Sequence, residues 1–416
     1  MTMQTFSVER EQSAPALPLQ QTNLLQSLLG YEPIIDRKRS VMALRLRLRP
    51  VARQSACISS LYAEMSQAWP AQSPTILLSA PEAALDEGIL QMTANQNVWL
   101  EVSADAACTA GAQTILCALK ERGFPLVLSG RTPVPLPRSL VPAFKMSIIH
   151  VDEDRRLNCR DQDIPAGVKR SIGYALDGVK SIAQMEHCFE TGANAVLGWP
   201  MEDAITYRER PSSTPDYMAI MQLITMADRG DDTPKMEEVI RRDPAIAYRL
   251  LRYINSVGFG LAVQVQSFRH ALMMLGYQKL KRWLALLLAT SSRDANMRPV
   301  MLASFRRGLL LEELLGHTQD EKTRDEIFIL GVFSLLDKLM KKPFDELFGN
   351  LAVPESVHET LVHRTGPFLP YLKIVEAIER GPDQGLPAVL DSCLMSLADC
   401  NRAVLRTLRA PDLHQA

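Results

Sequence analysis

The stretch Met236-Glu-Glu-Val-Ile-Arg-Arg-Asp243-Pro-Ala-Ile-Ala-Tyr-Arg-Leu-Leu-Arg-Tyr-Ile-Asn-Ser256 decides how the second half of this chain reads. Asp243 offers an N-cap carboxylate, and Pro244 stands at the one position where proline favours a helix start. Ile246, Leu250, Leu251 and Ile254 then recur at intervals of four, one and three, a single stripe on a helix surface that must face a core. Asn255 to Gly260 offer left-handed caps, Ser267 can cap a short helix through Leu275, and Gly276 stops it. A further helix starts at Tyr277, with Leu280, Trp283, Leu284, Leu287 and Leu288 on one face and Lys279, Lys281 and Arg282 mostly on the other.

Working outward, the pattern stays helical almost to the C-terminus, with Pro343, Pro354, Pro367 and Pro370 punctuating short helices. Upstream the pattern changes. Ser40 to Leu48, Thr75 to Leu78, Val98 to Val102, Pro125 to Leu128 and Ser147 to Val151 are β-prone and alternate with helical stretches, the signature of a parallel α/β fold. Between the halves, Tyr207 to Asp216 combines two prolines with small polar residues, the composition of a linker. The resulting division is a tail at 1–27, an α/β domain at 28–206, a linker at 207–216 and an all-α domain at 217–408.

Composition sets the outer limits. The 416 residues exceed one ordinary core, and 47% apolar residues suit globular domains. A net charge of -1 gives no general pull toward nucleic acid or anionic lipid. The seven cysteines form no Cys-x-x-Cys pair, which fits reduced thiols in a cytoplasmic protein. The N-terminus lacks the features of a secretion signal, and no apolar run approaches the roughly 20 residues that cross a bilayer.

The segment Tyr31 to Arg49, with its Leu-Arg-Leu-Arg-Leu-Arg ending, resembles the opening of EAL-family cyclic-di-GMP phosphodiesterases, specifically those joined to an HDOD domain. Asp243-Pro244, Leu250 to Ser256, Ser267 to Gly276 and Phe328 to Asp337 resemble successive landmarks of HDOD domains. The resemblance implies a TIM-type barrel, degenerate and short enough to lack strands, followed by an all-helical HDOD domain. It also implies where a carboxylate cluster holding divalent metals would lie. Arg45 stands at the family's signature glutamate, and Ile76 to Ala80 offer no amide where a metal-binding asparagine is expected. Ser129-Gly130 replaces paired aspartates, His150 replaces a lysine, and Asp177 and Lys180 fall at glutamate positions. Leu197-Gly198 replaces a glutamine-glycine pair. Glu101, Asp152 and Asp177 are left as remnants, so Arg45, Glu101, Asp152 and Asp177 are the candidate residues of the barrel mouth.

On this reading no residue is catalytic and none holds a metal. The expected function is a non-catalytic bacterial regulator that needs no cofactor and contacts other signalling proteins; the alternatives are a cyclic-di-GMP effector or a weakly active phosphodiesterase. Arg45, Arg47 and Arg49 alternate on one strand and so share a face, which could clamp a phosphate or be ion-paired, the latter being the commoner fate of such runs.

Other motifs are weaker. HD phosphohydrolases need an adjacent His-Asp pair, which the sequence does not contain; Asp337 stands alone and reads as a capping or ion-paired residue. His358-Glu-Thr-Leu-Val-His363 resembles the zinc-protease helix, but a spacing of five turns the second imidazole about 140° from the first, so one α-helix cannot hold a metal between them. Residues 236 to 290 carry eight basic against three acidic side chains, a local tilt toward nucleic acid. Against it, a DNA-reading helix exposes polar groups, whereas the one after Gly276 carries Trp283 and several leucines.

Overall fold

The computed structural model describes residues 23–51, 57–70, 72–154, 172–204, 215–241, 246, 268–289, 294–316, 320–349, 353–381 and 385–410. The tail expected at 1–27 lies outside them up to residue 22, and the linker expected at 207–216 up to residue 214. The capped helices read between Asp243 and Ser267 also lie outside, except Ile246, which is buried.

Eight short strands close into a barrel in chain order: β1 Ser27–Asp36, β2 Val41–Pro50, β3 Ile76–Ser79, β4 Val98–Ser103, β5 Leu126–Ser129, β6 Phe144–His150, β7 Gly173–Asp177 and β8 Ala195–Leu197. The expectation of missing strands is therefore corrected. β7 and β8 are only five and three residues long, too short to show a period of two, and β1 is not among the β-prone stretches that the sequence displays by alternation. β1 runs antiparallel to both β2 and β8, while all other neighbours are parallel.

The β1–β2 hairpin is fixed by Asp36, whose Oδ1 accepts from the Lys38 and Ser40 amides at 2.8 and 2.9 Å. Alternation along the strands sends Ile34, Ala43, Leu77, Trp99, Val127 and Ala175 into the barrel, where they form a core of their own. The opposite faces, including Leu44, Leu46 and Leu48, join the larger core under the helices. Among those helices are α1 Ile58–Ala68, α2 Ala104–Ala107, α3 Ala110–Glu121 and α4 Ile182–Glu190.

The C-terminal half is helical. Its elements are α5 Pro215–Arg229, α6 Thr233–Arg241, α7 Phe268–Ala289, α8 Arg298–Leu315, α9 Glu321–Phe333, α10 Leu336–Met340, α11 Phe344–Phe348, α12 Glu355–His358, α13 Leu369–Arg380, α14 Leu386–Ser392 and α15 Leu397–Arg409. Gly276 breaks α7 with φ 68 and ψ 169, and beyond it Leu280, Trp283, Leu284, Leu287 and Leu288 are buried, the stripe the spacing predicts. Where α8 and α9 cross, glycines meet. A Cβ at Gly331 would lie 2.5 Å from Gly308 Cα, so the backbones approach as closely as they do because neither position carries a side chain.

α13 and α15 pack on β1. The Asn401 side-chain amide donates to the carbonyls of Leu24, Leu25 and Ser27 at 3.0, 3.1 and 2.7 Å, all buried. Those contacts order the chain ahead of the domain start expected at residue 28. Arg307 of α8 and Glu379 of α13 form a buried pair, with Arg307 Nη2 to Glu379 Oε2 at 2.6 Å, and Tyr31 of β1 lies within its field.

Candidate functional site at the barrel mouth

Period-two alternation that sends Ile34, Ala43, Trp99 and Ala175 inward also sends Glu32, Arg45, Glu101 and Asp177 inward, two residues nearer one end of the barrel. Arg45 sits at the centre. Its Nε and Nη2 donate to the two oxygens of Glu101 at 2.8 and 2.5 Å, and its Nη1 donates to Asp177 Oδ2 at 2.6 Å and Glu32 Oε1 at 3.2 Å. One planar guanidinium thus holds three carboxylates from three strands, a geometry that lysine's single ammonium could not reproduce. Arg47, two residues on, keeps its Nε 3.6 Å from Glu32 Oε1.

Arg45 is 7% exposed and Glu32 5%, so the cluster is largely withdrawn from water. Burial pushes the Arg45 guanidinium down, but Glu101, Asp177 and Glu32 together hold it above its ordinary value. Burial pushes the Glu32 carboxyl up, and the neighbouring Asp177 adds to that; Arg45 and Arg47 offset only part of it.

Of the candidates read from sequence, Arg45, Glu101 and Asp177 are brought together. Asp152 is not: it sits in the turn after β6, its side chain 85% exposed, with a carboxylate oxygen 3.3 Å from His150 Nδ1. His150 ends β6 and Asp152 follows in the turn, which carries the carboxylate outward. Glu32 is the residue that sequence reasoning missed. It lies directly opposite Arg45 in the β1–β2 register, a position that reading 27–36 as a strand would have found. The arginine run is ion-paired, since Arg49 Nε also lies 3.4 Å from Glu82.

Whether this donor set fits a divalent metal follows from where its oxygens point. Glu101 spends both on Arg45, and Glu32 and Asp177 each spend one on the same guanidinium. Among the described residues no group of three or more His, Cys, Asp and Glu is arranged to hold an ion. With Arg45 seated, the residues do not fit the metals that the resemblance implies.

The other candidates fall away from the mouth. Asp337 stands in the first turn of α10, where burial pushes its carboxyl up while the Lys338 charge and backbone amide offset part of that, and its buried Oδ1 meets no hydrogen-bond partner among the described residues. Lys281 pairs with Asp228 at 3.0 Å, and Arg282 pairs with Glu312 and Asp325 while stacking 3.7 Å over the Phe328 ring, so these cations of the basic stretch are engaged within the domain. His358 and His363 are not on opposite sides of a helix. Residues Glu359–His363 form a π-helical turn, whose larger number of residues per turn returns the fifth residue to the same face, and the two rings lie 5.3 Å apart between centroids. The about 140° separation expected from an α-helix is corrected accordingly.

A closed barrel with one antiparallel strand, followed by a helical domain docked on that strand, defines a two-domain protein of α/β-barrel plus all-α class. The HDOD domain matches residues 211–342. The cyclic di-GMP phosphodiesterase CdgJ of Vibrio cholerae serotype O1 is 28% identical over 272 residues, 64% of this chain and 62% of CdgJ. The uncharacterized protein YuxH of Bacillus subtilis strain 168 is 22% identical over 214 residues, 50% of this chain and 52% of YuxH. The chain thus spans less than two thirds of the length of either relative. Among solved structures, a standalone EAL protein from Vibrio cholerae O395 in its c-di-GMP-bound form aligns with a TM-score of 0.28 at 14% identity, covering 41% of this chain and 89% of that one. The manganese and cy-diGMP complex of Klebsiella pneumoniae BlrP1 aligns with a TM-score of 0.30 at 13% identity, covering 42% and 55%. The chain thus carries a closed eight-stranded barrel followed by a helical region, and residues 211–342 match the HDOD domain.

CdgJ also overturns one expectation. The chain was expected to be no enzyme, yet a relative at 28% identity is named a phosphodiesterase. The expectation rested on the charge inversion at Arg45 and on the missing ligand positions, although Glu101 and Asp177 remain at the mouth with Glu32 beside them. No helix of the described residues is long and apolar enough to cross a membrane.

Proposed function

We propose that this chain acts in cyclic-di-GMP signalling, with the barrel mouth as its responsive end and the helical domain as the surface that contacts other signalling proteins. The observation that carries this reading is that Glu32, one member of the Arg45 cluster, lies on β1, the strand on which the helical domain packs. Glu32 points into the mouth and holds Arg45 and Arg47, while its neighbour Tyr31 lies in the field of the Arg307–Glu379 pair. Arg47 also reaches across the domains, its Nη2 3.0 Å from where a Cβ on Gly381 would stand, at the end of α13.

A phosphodiester at the mouth competes with carboxylates for these guanidinium groups. Drawing Arg47 toward a phosphate leaves Glu32 with Arg45 as its one guanidinium partner, and a change at Glu32 is felt one residue away at the domain contact. A ligand that prefers one arrangement shifts the balance between them. The name of CdgJ supports cyclic di-GMP as that ligand.

The test is titration calorimetry of the full chain with cyclic di-GMP, alongside chromatography of the nucleotide after incubation with magnesium or manganese. Saturable heat that weakens in Arg47→Ala supports the reading, and linear product in the second assay adds turnover to it. Neither heat nor product would remove cyclic di-GMP from the account.

A further inference from the structure

We propose that His358 and His363 form a two-imidazole site for a borderline divalent cation such as zinc, nickel or copper. The site lies in the helical domain, apart from the barrel mouth, and does not depend on the reading above. In sequence the pair is separated by five, which an α-helix would splay. The π-helical turn at Glu359–His363 brings them onto one face, and π-turns concentrate at functional positions because they cost hydrogen-bond geometry.

The ring geometry suits a shared ion. Ring nitrogens about 2.1 Å from a tetrahedral metal place two imidazole centroids on the order of 5 Å apart. The observed separation is 5.3 Å, with the ring planes inclined at 64°. Among the described residues no hydrogen bond or ion pair engages either imidazole, so the ring nitrogens are not committed elsewhere. His363 is exposed and His358 partly so, which leaves an entry path. On the inner side, the Phe348 ring lies 5.9 Å from His358 and is itself stacked on Phe344 at 5.4 Å, so the inner imidazole rests against an apolar wall.

Imidazole nitrogens select borderline metals over the hard cations magnesium and calcium, which need oxygen ligands. Two protein ligands leave the remaining coordination positions to water. The bound ion is therefore exchangeable and accessible from outside.

The experiment is calorimetric titration of the full chain with zinc chloride, repeated with nickel and with magnesium, and copper electron paramagnetic resonance to count coordinating nitrogens. The expected result is one saturable zinc site, a copper spectrum showing two imidazole nitrogens, and no heat from magnesium. Binding is lost in His363→Ala and in His358→Ala but kept in His187→Ala, an exposed histidine on α4. His363→Asn serves as a second variant on the exposed ring, with circular dichroism confirming that each protein is folded. Zinc binding that survives in folded His363→Ala or His363→Asn, or the lack of saturable binding in the unaltered chain, overturns the proposal.

Discussion

Glu32 on β1 stands directly across the hairpin from Arg45 on β2, and its Oε1 accepts from Arg45 Nη1 at 3.2 Å inside the barrel mouth. This cross-strand pair is the nucleus of the cluster, because Glu101 and Asp177 reach the same guanidinium from strands that β2 does not directly neighbour.

Removing Arg45 leaves three gathered carboxylates without their cation. Arg45→Ala should destabilise the chain by about 3–5 kcal/mol, the usual cost of stripping one partner from a buried charge cluster. Urea denaturation measures it. Arg45→Ala in a Glu101→Gln background should cost clearly less than the sum of the two single changes, and strict additivity would show that the contacts carry no coupling.

Glu32 supplies a pH dependence whose sign is fixed. Its proton is held more tightly in the folded chain than in the unfolded one, since burial and Asp177 raise its pKa. The stability this confers is complete below the ordinary carboxylate range and is lost as pH rises through the raised value. Comparing unfolding midpoints of the unaltered chain and Glu32→Gln from about pH 4 to about pH 7 isolates the group. The unaltered chain should lose stability relative to the variant as pH rises, and the opposite slope would show that the arginines dominate.

At the domain contact, Glu379→Ala leaves Arg307 buried and unpaired beside Tyr31. The expected loss is about 3–5 kcal/mol. The double variant Glu379→Leu with Arg307→Met, which removes both charges at similar volume, should recover much of it in thermal unfolding.

Asn401 ties the start of β1 to α15. Asn401→Ala leaves buried carbonyls at Leu24, Leu25 and Ser27 without that donor and should cost about 1–3 kcal/mol. Hydrogen exchange should speed up first in the amides at the start of β1, with the barrel interior unchanged.

Gly331→Ala tests the helix crossing. The added methyl would meet Gly308 Cα at 2.5 Å, backbone that cannot turn aside, so α8 and α9 must separate. A loss of about 1–3 kcal/mol in denaturant unfolding is expected, and an unchanged midpoint would place the crossing farther apart than described.

The sequence by itself determined the division into an α/β half and a helical half, because periods of two and of 3.6 are local properties of neighbouring residues. It also determined the buried stripe from Leu280 to Leu288, and it singled out Arg45, Glu101 and Asp177. Strand register and the local winding of the backbone decided the rest. Closure of the barrel rested on strands too short to show a pattern, and Glu32 joined the site only because the hairpin turn sets it opposite Arg45. Asp152 left the site because a turn points it outward, and His358 met His363 because the helix there widens to a π-turn. Each of these depends on which residues a distant or unusual piece of backbone brings together, and that information is shared among positions far apart in the chain.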